Sequence, residues 1–185
     1  MEKQLEMLKE KCLAAETRDP VAFAVTLMQL DGVRMHGPEH HILDGAALLT
    51  ALHGAGAEFD LSAALDELIR RGLTMPGASC GFWGMCGSAS SVGAALSILH
   101  KTGPLSDDQY YKDNMELVSK ALSRIAAVGG PRCCKRNAFL SLGTAVDFIK
   151  ERCGIALEKR EVRCPFTAKN PDCLKERCPF FPGRP

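Results

Sequence analysis

A chain of 185 residues, 46% apolar and 24% charged, has room for one buried core, and a formal net charge of +1 sets up no field that would gather nucleic acid or an anionic membrane. Met1 to Gln4 begin an amphipathic pattern with no secretory-type apolar run, and the longest mostly apolar stretches, 21–30 and 46–52, are too short to span a bilayer. The expectation is a cytoplasmic protein with no membrane attachment; one Trp and two Tyr offer no base-stacking platform, so no nucleic-acid partner is expected either.

Leu5, Leu8, Cys12 and Leu13 recur at helical spacing and predict a first helix. Asp19 is placed to cap a second, with Pro20 in its first turn and Val21, Val25 and Met28 on one face. After Gly37-Pro38, a third helix is predicted from about Glu39 to Leu52, ended by Gly54 and Gly56. Asp60 caps a fourth, which carries Leu61, Ala64, Leu65 and Leu68 and stops at Gly72. Residues 73–87 read as a glycine-rich loop, followed by a small-residue helix to Leu99. Ser106-Asp107-Asp108 opens a long helix to Val128, broken by Gly129-Gly130-Pro131. A last helix runs from near Arg136 to Arg152. Only Glu158–Arg163 alternates in the manner of a strand. The fold expected is all-α: one helical bundle of about seven helices, residues 1–153, with an irregular Cys- and Pro-rich tail, residues 154–185, packed on the same domain.

Nine cysteines are many for a chain without a secretory pattern, and their number is odd. Short spacings in that setting point to metal ligands or catalytic thiols rather than a disulfide framework. Cys164, Cys173 and Cys178 lie in RCPFTAKNPDCLKERCPFFP, spaced C-x8-C-x4-C, two of them followed by proline. The segment has too few periodic apolar residues to fold alone, and a metal would supply the ordering energy. Paired C-x2-C knuckles of the zinc type are absent, whereas Cys-Pro steps recur in cluster ligation, so an iron–sulfur cluster of the 4Fe–4S kind is favoured over zinc. The fourth ligand is expected to be Cys153, at the helix end just upstream, or one of the distant cysteines.

Three further motifs suggest a second, reactive site. In PGASCGFWGMCGSASSVG, Cys80 and Cys86 each precede a glycine, and Cys86 falls near a helix N-terminus, where amides and dipole favour a thiolate. In GGPRCCKRN, Cys133 and Cys134 are flanked by Arg132, Lys135 and Arg136; three cations should lower the thiol pKa and could hold a substrate carboxylate or phosphate. In HGPEHHILDG, His40 and His41 are candidate ligands or proton carriers, and His36 approaches His40 only if the Gly-Pro turn permits. The candidate catalytic set is Cys80, Cys86, Cys133, Cys134, His40 and His41; Arg132, Lys135, Arg136 and Trp83 are candidate substrate contacts. Cys12 reads as a buried small hydrophobe.

Taken together, HGPEHHILDGAALL, SCGFWGMCGSASSVG, GPRCCKRNAFLSLG and the CPF…CLKERCPFF tail resemble an uncharacterised bacterial and archaeal family. That family is common in anaerobes and occurs alone or fused to methyltransferase domains. The resemblance implies an oxygen-sensitive metal–thiolate site and a methyltransferase-like protein partner. Three functions stand open: an iron–sulfur protein with a site for a small anionic or sulfur-containing substrate, a structural or hydrolytic zinc protein, and a non-catalytic interaction module. No phosphate-binding loop, dinucleotide fingerprint or radical-type CxxxCxxC triplet is present.

Overall fold

The computed structural model describes residues 2–183; Met1, Arg184 and Pro185, within the limits expected for the two segments, lie outside the described residues. The described chain is all-helical: α1 (Glu2–Leu13), α2 (Pro20–Leu27), α3 (His40–Gly54), α4 (Leu61–Thr74), α5 (Ser79–Phe82), α6 (Gly87–Leu99), α7 (Gln109–Val128) and α8 (Cys134–Cys153). Two single 3-10 turns, Thr167–Lys169 and Lys175–Arg177, follow in the tail. Among the described residues no helix is long and apolar enough to cross a membrane.

The architecture is organised around α3. Its sequence, HHILDGAALLTALHG, is apolar or small almost all round, and every residue from His40 to Leu52 is buried. A helix of that kind is stable only when other helices cover each face. Here α2, α4, α6 and α8 do so, with α1 adding to one side. The closest partner is α6, whose small residues let the two backbones approach. Gly45 N–H donates to Ser91 Oγ at 2.8 Å, and a Cβ at Gly45 would stand only 2.5 Å from Ser91 O. The long α7 has a polar outer face and packs its inner one on α6 and α8.

Local signals placed most ends correctly. Asp19 accepts from the amides of Val21 and Ala22, and Asp60 from that of Ala63. Three details differ. The loop predicted over 73–87 contains the one-turn helix α5, too short to leave a periodic pattern. The last helix starts at Cys134 rather than near Arg136, with the Cys133 side chain capping the amide of Arg136. Glu158–Arg163 forms no strand: Glu158 N–H donates to Arg18 O and Arg160 N–H to the Asp19 carboxylate, so this segment is tied to the α1–α2 turn and has no strand partner.

The tail returns to the bundle through aromatic anchors. Phe166 is buried, Phe180 stands edge-on to Phe139 at 5.2 Å between ring centres, and Cys164 N–H donates to Phe180 O.

Because the α3–α6 contact has no room for a methyl group, Gly45→Ala should lower the free energy of unfolding by about 1–3 kcal/mol. Gly103→Ala, where a Cβ meets nothing within 4 Å, should stay within about 0.5 kcal/mol of wild type. Urea denaturation of the two variants measures the difference.

Candidate functional site

The start of α8 feeds two cavities. Cys133 is its N-cap in extended backbone (φ −145°, ψ 105°), and Cys134 is its first helical residue. The two side chains therefore diverge. Cys133 lines a small cavity of about 20 Å³ together with Cys164, Cys173 and Cys178. Cys134 lines a different cavity of about 260 Å³, with His36, His40, His41, Cys80, Cys86 and Arg132.

In the first cavity, the three tail cysteines meet a sulfur from the far side of the chain. Donors point at these sulfurs: Arg136 N–H lies 3.5 Å and Asn170 Nδ2 3.7 Å from Cys133 Sγ, and Lys175 N–H 3.4 Å from Cys173 Sγ. Burial pushes the Cys133 thiol up, and pushes Cys164 to about 11, with the neighbouring sulfurs adding to the rise. Thiols raised in this way, as Cys133 and Cys164 are, lose their protons when a cation binds the sulfur. Among the described residues, no three His, Cys, Asp or Glu side chains gather at the spacing a single metal ion requires.

Cys153 is placed elsewhere. Its sulfur lies 3.8 Å from Nε2 of His100, which stacks on Tyr110, and it is not in the wall of the tail cavity. Cys12 is fully buried in the core, and burial pushes its thiol up to about 11.

The expectation that three cations would lower the pKa of Cys133 and Cys134 is overturned. Burial raises both, Cys134 to about 11, and outweighs the lowering by Arg136 at Cys133 and by a backbone N–H at Cys134. Arg136 donates to Gly129 O at 2.7 Å and Pro131 O at 3.0 Å, holding the turn before α8. Lys135 is 1% exposed and donates to Arg34 O at 3.0 Å and to His40 Nε2 at 3.2 Å. Nδ1 of His40 in turn donates to Asp44 Oδ1 at 3.2 Å. Asp44–His40–Lys135 is thus a buried carboxylate–imidazole–ammonium chain under the 260 Å³ cavity. Its loss is costly, since removing one partner of a buried ion pair costs ~3–5 kcal/mol. Lys135 is a structural cation here, and Arg136 a brace at the rim.

His41 is held differently. Its Nδ1 lies 3.3 Å from Met75 O, and because a carbonyl only accepts, Nδ1 carries the proton and Nε2 keeps its lone pair. The ring rests against Gly87, the first residue of α6, where any Cβ would collide with it. Burial lowers its pKa, which keeps the imidazole neutral. His36 links the two cavities: Nε2–H donates to Asn170 Oδ1 at 3.2 Å, while Nδ1 accepts from Cys134 N–H at 3.5 Å.

Beside the 260 Å³ cavity lies an open apolar cleft of about 830 Å³, lined by Phe82, Leu122, Ile125 and Ala126 among others. Cys80, Cys86 and Arg132 belong to the walls of both. Trp83 is 66% exposed, edge-on to Phe82, and lines neither.

Four residues of these sites were not singled out from the sequence. Asp44 stands four residues after His40, a spacing that puts both on one helical face. Asn137, whose Nδ2 lies 3.4 Å from Cys86 Sγ, sits one turn after Cys133. Asn170 and His100 carry no local signal, since their partners are distant in sequence.

The model of a family of unknown function, DUF5714, matches residues 8–181. No curated protein and no solved structure matches the chain.

His36, His41 and His100 all have pKa values lowered from 6.5, chiefly by burial. The unfolded chain then binds more protons than the folded one below pH 6.5, so stability rises with pH across that window and is lost as pH falls toward the lowered values. The melting temperature should drop steadily between about pH 7.5 and about pH 5.5, and His100→Gln should flatten that slope.

Proposed function

We propose that this chain, which belongs to the DUF5714 family of unknown function, is an iron–sulfur protein. Cys133, Cys164, Cys173 and Cys178 hold the cluster, and the adjoining 260 Å³ cavity takes a small anionic or sulfur-containing substrate. The observation that carries this reading is the convergence of four cysteines, one of them 31 or more positions from the others, on a single small cavity.

The donor set fits the group. Four thiolates suit iron–sulfur ligation, and N–H groups aimed at the sulfurs are among the levers by which proteins stabilise and tune a cluster. Pro165 and Pro179, each following a ligand, stiffen the chain there. A single zinc ion would hold sulfurs about 3.8 Å apart, from a Zn–S distance near 2.3 Å. A polynuclear centre holds them farther apart. The cluster supplies a one-electron couple or a Lewis-acidic iron. The chain's own residues do the rest: Arg132 offers a cation at the mouth, and His41 offers a neutral imidazole lone pair to a proton. One observation favours zinc as a second reading, namely that a cavity of about 20 Å³ is narrow.

The protein purified without oxygen should be brown, contain iron and acid-labile sulfide, and bleach in air. Serine at Cys133, Cys164, Cys173 or Cys178 should each remove most of the iron, while Cys153→Ser and Cys12→Ser should keep it. A colourless, air-stable chain with one zinc ion would establish the second reading. Loss of iron from Cys153→Ser with retention in Cys133→Ser would overturn the assignment of the fourth ligand.

A further inference from the structure

Cys80 and Cys86 stand on the seam between the polar cavity and the apolar cleft, in the wall of each. Both are free thiols. The loop joining them closes on itself: Trp83 N–H donates to Ser79 O at 2.9 Å and Met85 N–H to the same oxygen at 3.3 Å. Each cysteine directly follows one end of the Met85–Ser79 bond, and Cys80 packs against the small cluster formed by Cys86, Ala89 and Ala121. Cys86 is also the N-cap of the 13-residue helix α6 and receives the Asn137 amide at 3.4 Å. Next to it, the imidazole of His41 rests on Gly87 with Nδ1 tied to Met75 O and Nε2 bearing the lone pair.

A helix N-terminus, an amide donor and a lone pair stabilise one thiolate and accept its proton. A single-nucleophile transfer would leave the second thiol on the seam without a task, whereas thiol–disulfide exchange needs an attacking and a resolving thiol together. The walls define the other partner. Leu122, Ile125 and Ala126 offer an apolar surface, and the exposed Arg132, common to both cavities, offers a cation.

We infer that Cys80 and Cys86 form a dithiol exchange centre acting on the disulfide of a small thiol that carries an apolar arm and a carboxylate. The inference rests on the polar cavity being the substrate site, as proposed above, and not on the cluster. Cys86 passes its proton to His41 Nε2, and its thiolate attacks one sulfur of the substrate. The substrate S–S bond breaks, a Cys86–substrate disulfide forms, and the first thiol leaves with the proton from His41. Cys80, deprotonated in turn, attacks Cys86 Sγ and releases the second thiol. The substrate gains two electrons and two protons, and the chain's two thiols become one disulfide.

The test is a single-turnover reaction of the anaerobically purified, reduced full chain with dithiodibenzoate, quenched in acid and read by peptide mass spectrometry. The expected product is a peptide containing both Cys80 and Cys86 that has lost two hydrogens. Cys80→Ser should stop at a dithiodibenzoate half-adduct on Cys86, and Cys86→Ser should abolish the fast phase. His41→Ala should slow the first step about 100-fold, and free imidazole should restore it, which a purely structural role would not allow. Cystamine, a cationic disulfide, should react far more slowly. A first adduct on Cys134 or Cys153, or an unchanged rate in Cys86→Ser, would overturn the exchange centre, and equal rates with cystamine would overturn the substrate class. Iron content measured on the same sample separates the two readings: exchange without iron defeats only the cluster, and iron without exchange defeats only this centre.

Discussion

Both candidate sites depend on the turn into α8. Cys133 is extended and Cys134 is helical, so two adjacent sulfurs part company, one toward the tail and one toward the histidines. The next two residues hold that turn in place. Arg136 grips the carbonyls of Gly129 and Pro131, and Lys135 is buried against Arg34 O and His40. Removing either cation would leave carbonyl or imidazole groups unsatisfied beneath both cavities, so the geometry of each site is coupled to the same buried polar network.

That network explains an apparent inversion of local chemistry. Flanking cations suggest activated thiols at Cys133 and Cys134, yet burial outweighs them. A thiol raised in this way is a poor bare nucleophile, and a cation that bound its sulfur would have to displace the proton to solvent or a base. Around Cys86 stand instead a helix N-terminus, an asparagine amide and the imidazole of His41 resting on Gly87. The cysteines thus divide by environment rather than by sequence neighbourhood: Cys12 is core, Cys153 pairs with His100, Cys133 faces the tail, and Cys80, Cys86 and Cys134 face the central cavity.

Much of the helical scaffold was legible in advance because its signals are local. Caps at Asp19 and Asp60, glycine and proline breaks, and apolar periodicity placed the seven longer helices to within a few residues. The one-turn helix α5 was not legible, since four residues carry no period. The alternation at Glu158–Arg163 misled because a strand needs a second strand to pair with, and the bundle offers only the α1–α2 turn.

The sequence by itself determined the all-α class, the helix ends, and which residues could carry chemistry, because capping, periodicity and side-chain reactivity act within a few positions of one another. Only the tertiary structure decided which sulfurs share a cavity. That choice placed Cys133 beside Cys164, Cys173 and Cys178 and left Cys153, the nearer residue in the chain, with His100. The reason is that helix packing sets distances in space without regard to separation along the backbone: the burial of α3 on all sides draws the start of α8 and the returning tail together, while the far end of α8 is carried away by the length of the helix itself.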